Sequence, residues 1–222
     1  MNRATRIVVT VMAVVFALSG ILHGYYETLQ GNTPTDGLMI AAVGEAFLHW
    51  EEGQEPALTI IPNFLITGLA AITVSVAIII WAVGFLHTQH GATIMLLLFL
   101  ISFFVGAGVA QIIFFPMLWG LAVNINRPLA WWRRRLPAGS RRVLARLWPW
   151  AITAGALLML ITLEISFFGL FPGVTDPQAL LGLMGLCLLL ALILFPLSFV
   201  GAIAADLQRA DQQADSPIPV TA

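Results

Sequence analysis

The chain has 222 residues, of which 59% are hydrophobic and only 9% are charged, with a mean hydropathy of +0.94. A soluble domain carries about 25% charged residues, so this composition excludes an ordinary soluble domain and favours an all-α bundle of membrane helices. The chain has no Lys, which excludes chemistry through a Lys Schiff base. Its single Cys187 excludes an internal disulfide and a zinc or iron–sulfur site built on cysteines.

Five apolar runs are long enough to cross a bilayer, which takes about 20 residues. They cover residues 7–26, 58–86, 92–123, 150–171 and 179–205. Arg3 and Arg6 before the first run are typical of a signal peptide, but the run is long and we expect a retained anchor. Pro116 predicts a kink near the end of the third run. Residues 1–205 are thus expected to form one transmembrane helical domain, and residues 206–222 a disordered polar tail.

A short amphipathic helix is predicted between the first two spans, over residues 37–50. Asp36 can cap its N-terminus. Apolar residues fall on one side of this helix, and Glu45, His49 and Glu52 fall on the other. The segment is short for a membrane span, so we expect an interfacial or re-entrant helix.

The connection over residues 124–149 carries seven of the ten arginines and suggests an orientation. With five spans, this connection and the C-terminus lie on one side and the N-terminus on the other. The positive-inside rule then predicts a cytoplasmic basic connection and C-terminus, with the N-terminus outside. A six-crossing alternative, in which residues 37–50 also cross, would place all ten arginines inside.

The same connection predicts contact with the bilayer surface, because arginines bind lipid phosphates and tryptophans prefer the headgroup boundary. We therefore expect anionic lipid headgroups as partners, and other membrane subunits are a further option. Nucleic acid is not expected. The predicted contact residues are Trp131, Trp132, Arg133, Arg134, Arg135, Arg141 and Arg142.

Two His/Glu pairs could bind a divalent metal ion. His23 and Glu27 are four residues apart in the first span, and Glu45 and His49 are four apart in the short helix. Facing helices could join two imidazoles and two carboxylates in a site that suits iron, manganese or zinc. The alternative is that these residues only mark where helices leave the lipid. No cofactor is otherwise expected.

Glu164 is the most prominent polar residue within a predicted span. A charged carboxylate that faces lipid costs several kcal/mol, so Glu164 is expected to face the bundle interior, to pair or to be protonated. Gln111 and Asn63 are possible partners, and His87 and His90 could relay a proton to it. The alternative is a structural hydrogen bond between helices.

The sequence contains no established catalytic motif, and it leaves open whether the protein is an enzyme. It favours a small non-enzymatic membrane protein that takes part in transport, interacts with lipid or belongs to a larger complex. The alternatives are a metal-dependent membrane enzyme that uses His23, Glu27, Glu45 and His49, and a proton-coupled carrier that uses Glu164.

Overall fold

The computed structural model describes the backbone of residues 1–215 and the side chains of residues 1–214. The predicted all-α bundle is confirmed, because helices account for most of these residues and strands for very few. The helices are α1 (Arg3–Leu29), α2 (Phe64–Gly84), α3 (Gly91–Phe104), α4 (Phe115–Ala122), α5 (Ala130–Arg135), α6 (Ala138–Phe168) and α7 (Pro177–Asp215). Two short strands, β1 (Met39–Ala41) and β2 (Pro56–Leu58), and two 3-10 helices, Glu45–Phe47 and Ala110–Phe114, complete the described elements.

Four of the described helices, α1, α2, α6 and α7, are long and apolar enough to cross a membrane. α1 packs along α2 and α6 packs along α7, and α1 also contacts α4, α6 and α7. Stacked and edge-on phenylalanine rings fill the centre: the ring of Phe16 lies 4.8 Å from that of Phe114 and 6.0 Å from that of Phe195. The core is apolar because each helix turns its hydrophobic side chains towards its neighbours.

The expectation of one continuous span over residues 92–123 is wrong. α3 ends at Phe104, and the chain then reverses through residues 105–109. Two glycines in this turn, Gly106 and Gly108, have φ angles of 97° and 92°, which side-chain-bearing residues rarely adopt. Pro116 does not cause the break, because it lies in the first turn of α4, where proline is well tolerated.

α3, the turn over residues 105–109 and α4 form a helical hairpin, the α3–α4 hairpin, and two hydrogen bonds show where its turn and its open end lie. The N–H of Gly106 donates to the carbonyl of Leu58 at 2.9 Å, so the turn lies against β2. After the return, the side chain of Asn126 donates to the carbonyl of His87 at 2.7 Å, just before α3 begins. The segment therefore starts and finishes at the same end of the bundle.

This reversal brings the two ends of the bundle domain together. The N–H of Asn2 donates to Ile125 at 2.7 Å, and the N–H groups of Ala4 and Thr5 donate to the Asp206 carboxylate at 3.0 and 2.9 Å. The prediction that the N-terminus and the basic connection face opposite sides is therefore wrong. All ten arginines belong to segments at this shared end.

The two ends of the bundle differ in charge. The basic end comprises residues 1–6, 85–90, 123–146 and 206–211. The acidic end comprises residues 30–63, 105–109 and 169–176, and it holds Asp36, Glu45, Glu51, Glu52, Glu55 and Asp176.

The helix expected over residues 37–50 is absent, and this prediction is corrected to a β-hairpin. β1 and β2 pair antiparallel with Ile40 opposite Ala57, and the N–H of Ala42 continues the pairing by donating to the carbonyl of Glu55 at 2.9 Å. Only the 3-10 turn Glu45–Phe47 is helical. Pairing with residues 54–58 outweighs the amphipathic pattern, because local propensity is a weak preference.

The expected disordered tail is also corrected for its first part. α7 continues to Asp215, while residues 216–222 lie outside the described residues. The Asp206 side chain is buried and the Asp211 carboxylate accepts hydrogen bonds from Arg133 and, at 3.1 Å, from Arg141. These acids order the end of α7 by pairing with other helices.

The Asp206 contacts predict a measurable stabilising role for this residue. Asp206→Ala removes the acceptor of two N–H groups and one hydroxyl in the buried first turn of α1. We expect unfolding in detergent to require about 2–3 kcal/mol less free energy. Asp211→Ala is the matched control, because its carboxylate is 38% exposed and its ion pairs with Arg133 and Arg141 are at least partly open to solvent, so the change should cost about 1 kcal/mol. Equal losses in the two variants would contradict a capping role for Asp206.

Candidate functional site

A cluster of three polar side chains forms where α1, α6 and the hairpin meet. His23 of α1 is 3% exposed, and its Nε2 lies 3.6 Å from Oε2 of Glu55, the residue before β2. The hydroxyl of Ser166, on α6, donates to Oε1 of Glu55. His23 Nδ1 lies 2.9 Å from the carbonyl of Ser19, which can only accept, so Nδ1 carries a proton. This arrangement leaves His23 Nε2 and Glu55 Oε2 facing each other.

Glu55 is held in an unfavourable backbone conformation. Its φ of 49° is the only positive value at a non-glycine residue in the described chain. Such a conformation costs about 1–3 kcal/mol and persists only where surrounding contacts impose it. Burial raises the pKa of the Glu55 carboxyl from 4.5 to about 7. Strain and a perturbed carboxyl at one residue are typical of a functional position.

The glycine turn of residues 105–109 fits against the same face of α1. A side chain at Gly108 would place Cβ 2.7 Å from His23 Nε2, and one at Gly106 would place Cβ 2.4 Å from Glu27 Oε1. Glu27 is completely buried, and its two carboxyl oxygens have no hydrogen-bond partner among the described residues. Glycine is therefore needed at both positions, for its positive φ and for the close approach.

The loop that carries Glu55 is fastened to α6 by Trp50. The indole N–H of Trp50 donates to the carbonyl of Ser166 at 2.8 Å, and its ring lies against Gly169, which has a φ of 62°. On α1, the ring of Tyr26 stacks on that of Phe167 of α6, with the ring centroids 5.5 Å apart. These contacts fix Ser166 and the Glu55 loop relative to α1.

The cluster forms one wall of a cavity of about 480 Å³. Its polar wall consists of Ser19, His23, Glu55, Gln111, Thr162 and Ser166, and the rest is mostly apolar, including Phe16, Phe114, Met159, Leu163, Met184 and Leu188. From Ser166 to Met159 the cavity follows α6 for about 10 Å, at 1.5 Å per residue. This volume lies within the usual range for small-molecule sites, about 300–1,000 Å³.

Some residues that line the cavity are also exposed at the surface. Ile113 and Gly185 line it and are exposed on the side of the bundle, where Ile113 is 60% exposed. Pro56 lines it and is exposed at the acidic end. The lining therefore meets the surface at two places, on the side of the bundle between the 3-10 helix Ala110–Phe114 and α7, and at the acidic end.

The four predicted metal ligands do not converge. His23 and Glu27 are buried, whereas Glu45 and His49 are exposed, and His49 Nε2 lies 3.0 Å from the Tyr26 hydroxyl. Among residues 1–214, no group of three or more His, Cys, Asp or Glu side chains is placed to hold a metal ion. The physical reason is that the short helix predicted over residues 37–50 is replaced by a β-hairpin, so His49 and Glu45 do not share a helical face.

Glu164 does not face the bundle interior, which corrects that expectation. It is exposed on the outer side of α6, beside Leu170 and Phe171. The proposed partners are engaged elsewhere: Gln111 donates to the carbonyl of Ala107 at 3.0 Å, and Asn63 accepts from the N–H of Ile66 as the cap of α2. The link that contains His87 and His90 lies at the basic end, opposite Glu164, and cannot relay protons to it.

The predicted headgroup contacts lie together at the basic end. Arg134, Arg135, Arg142 and Trp131 are exposed, and Trp132 packs on Phe199 with ring centroids 5.4 Å apart. Arg133 and Arg141 pair with Asp211. Lipid contact remains a prediction for this surface.

Sequence reasoning missed Glu55 and Ser166 as members of the site. Glu55 stood among several acids of one loop, and Ser166 was a single hydroxyl in an apolar run. No spacing rule connects either residue to His23, because they come from three separate segments. Comparison of the chain with models of known protein families, with curated proteins and with solved structures finds no match.

The Glu55 environment predicts a dependence of stability on pH. Because its pKa is raised from 4.5 to about 7, its stabilising contribution is complete below about pH 4.5 and is lost as the pH rises through 7. Glu55→Gln keeps the shape without the charge. We expect this variant to match the natural protein in thermal unfolding at about pH 5 and to be about 2 kcal/mol more stable at about pH 8.

The control for this experiment is Glu52→Gln, on the same loop but exposed. It should show no such difference between the two pH values. A Glu55→Gln variant that is destabilised equally at both pH values would contradict a buried, costly charge at this position.

Proposed function

We propose that this chain is a multi-pass membrane protein that binds an apolar molecule with one polar group, taken up from the bilayer. The observation that carries the proposal is the cavity, which is largely apolar and ends at the His23–Glu55–Ser166 cluster. The apolar part would lie along Met159 and Leu188, with the polar group towards the acidic end. Of the non-enzymatic roles that the sequence favours, this proposal selects interaction with lipid.

Membrane insertion is supported by four long apolar helices and by the exposed apolar side chains on their outer faces. The α3–α4 hairpin would lie at membrane depth with its irregular turn buried among other helices, where such backbone is tolerated. With all ten arginines towards the basic end, the positive-inside rule favours a cytoplasmic basic end and an acidic end on the opposite side.

The exposed lining on the side of the bundle supports entry from the lipid. Ile113 and Gly185 both line the cavity and are exposed, so the entrance would lie between them. A ligand could slide in without its apolar part crossing water. The exposed lining at Pro56 would let the polar group approach solvent at the acidic end.

The two alternative functions receive less support. A metal-dependent enzyme built on the four predicted ligands would require Glu45 and His49 to join His23, from which they are separated. A proton-coupled carrier that uses Glu164 would need this carboxyl in the bundle interior, whereas Glu164 is exposed on the outer side of α6.

The proposed orientation predicts which residues face the cytoplasm. In a Cys187→Ala background, Glu52→Cys should react in intact cells with a membrane-impermeant maleimide, and Arg142→Cys should react only after the cells are opened. Both side chains are exposed, so accessibility in the folded protein does not distinguish them. The reverse pattern, or labelling of both in intact cells, would contradict the orientation.

Ligand binding can be tested with a photoreactive probe, a long-chain alcohol with a diazirine in its tail, added to the protein in lipid nanodiscs. We expect cross-links at cavity residues such as Met159 and Met184. Gly185→Phe should reduce this labelling by about tenfold, because it places an aromatic ring where the cavity lining meets the side of the bundle. Gly182→Phe is the matched control: both glycines have open space around them, but only Gly185 lines the cavity.

The proposal fails if cross-links appear only on outward-facing residues such as Leu189, equally in both variants. It also fails if both substitutions reduce cavity labelling to the same extent, because Gly182 does not line the cavity and the loss could then not result from blocked entry beside Gly185.

A further inference from the structure

We infer that the polar group of the ligand is a protonated amine, held by Glu55. This inference rests on the proposed function and adds the chemical class of the ligand. Two observations support it: the cluster offers free hydrogen-bond acceptors, and the arginines lie at the opposite end of the bundle.

The cavity wall already uses many of its hydrogen-bond donors. His23 Nδ1 donates to Ser19, Gln111 Nε2 donates to Ala107, and Thr162 Oγ1 donates to Leu158 at 2.9 Å. The hydroxyl of Ser166 donates to Glu55. What the cluster offers to a ligand is therefore acceptors, namely Glu55 Oε2 and, when it carries no proton, His23 Nε2. A ligand that supplies donors fits this wall.

The end of the bundle that holds the cluster carries acidic side chains and no Arg or Lys. Besides Glu55, the acidic end holds five carboxylates, those of Asp36, Glu45, Glu51, Glu52 and Asp176. The chain has no Lys, and every Arg belongs to the basic end. An anionic group such as a fatty acid carboxylate would meet repulsion here, whereas a cation would be attracted.

The position of Glu55 suits recognition of a cation. Its side chain is 19% exposed, so it is largely desolvated but still accessible from the cavity. It lies 3.6 Å from His23, which leaves Oε2 without a direct hydrogen bond in the cluster. A ligand ammonium placed beside Oε2 would complete its coordination. Hydrogen bonds between charged groups in such surroundings are stronger than neutral ones.

The surroundings of Glu55 also define how binding should respond to pH. The titratable groups near it are His23 and Glu27 on α1, and Glu51 and Glu52 on its own loop. Neither α7 nor residues 108–114 contribute a titratable group to the cavity wall. Burial raises the pKa of Glu55 to about 7, so its carboxylate forms as the pH rises through neutrality. An alkylamine stays protonated over this range.

The test uses three unlabelled competitors with the same hydrocarbon chain, an amine, an alcohol and a carboxylate, against the photoreactive alcohol in zwitterionic nanodiscs. At about pH 8 we expect the amine to displace the probe from the cavity at about tenfold lower concentration than the alcohol, and the carboxylate to be the weakest. The preference for the amine should shrink at about pH 6, where Glu55 is mostly protonated.

Variants assign the preference to Glu55. Glu55→Gln should abolish the advantage of the amine over the alcohol at both pH values, while Glu52→Gln should retain it. All variants are compared in the same bilayer, so each competitor partitions into the lipid to the same extent. Differences between variants in the concentration needed to displace the probe therefore reflect binding to the protein. If Glu55→Gln fails to fold, Ser166→Ala removes the donor to Glu55 Oε1 and should change the pH at which the preference appears.

The outcomes separate this inference from the proposed function. If the three competitors displace the probe equally, or if Glu55→Gln keeps the preference for the amine, the amine inference is wrong and ligand binding stands. If the probe never labels the cavity, the proposed function itself fails.

Discussion

The backbone hydrogen bonds between β2 and the glycine turn are the contacts on which the rest of the structure depends. A chain that reverses inside an apolar bundle must find partners for its polar backbone, since lipid and apolar side chains offer none. Residues 105–109 find them on β2: the N–H of Gly106 donates to the carbonyl of Leu58 at 2.9 Å, and the N–H of Val109 donates to the carbonyl of Pro56 at 3.4 Å. The side-chain hydroxyl of Thr67 adds a bond to Val105 at 2.8 Å.

Three consequences follow from this one junction. The third apolar segment returns to its starting end, which brings the N-terminus beside residues 124–127. The two glycines lie against His23 and Glu27, where a larger residue would collide. The strand that receives the turn begins directly after Glu55, so the same pairing places the Glu55 carboxyl beside His23.

The separation of charge along the bundle connects the fold to the proposed activity. The arginines and the Asp206 cap lie at one end, and the other end holds six carboxylates, of which Glu55 lines the cavity. A polar group bound there would meet acceptors and negative charge, while its apolar part would meet phenylalanine, methionine and leucine. The cost of the strained backbone at Glu55 is offset by the hairpin and Trp50 contacts that impose it.

The sequence by itself determined the helical bundle, most of its helices and the concentration of arginine in one connection. These follow from composition and from the length of apolar runs, which are local properties. It also singled out His23 and Glu27, because a fixed helical spacing shows that they share a face.

Only the tertiary structure decided the hairpin over residues 39–58, the reversal at residues 105–109 and the shared end of the N-terminus and the last turns of α7. It likewise joined Glu55 and Ser166 to His23, and it moved Glu164 to the outer surface. Each depends on pairing between segments far apart in the chain, where backbone hydrogen bonds and packing outweigh local propensity. A periodic pattern identifies the face of a helix, but it does not identify the partner that this face meets.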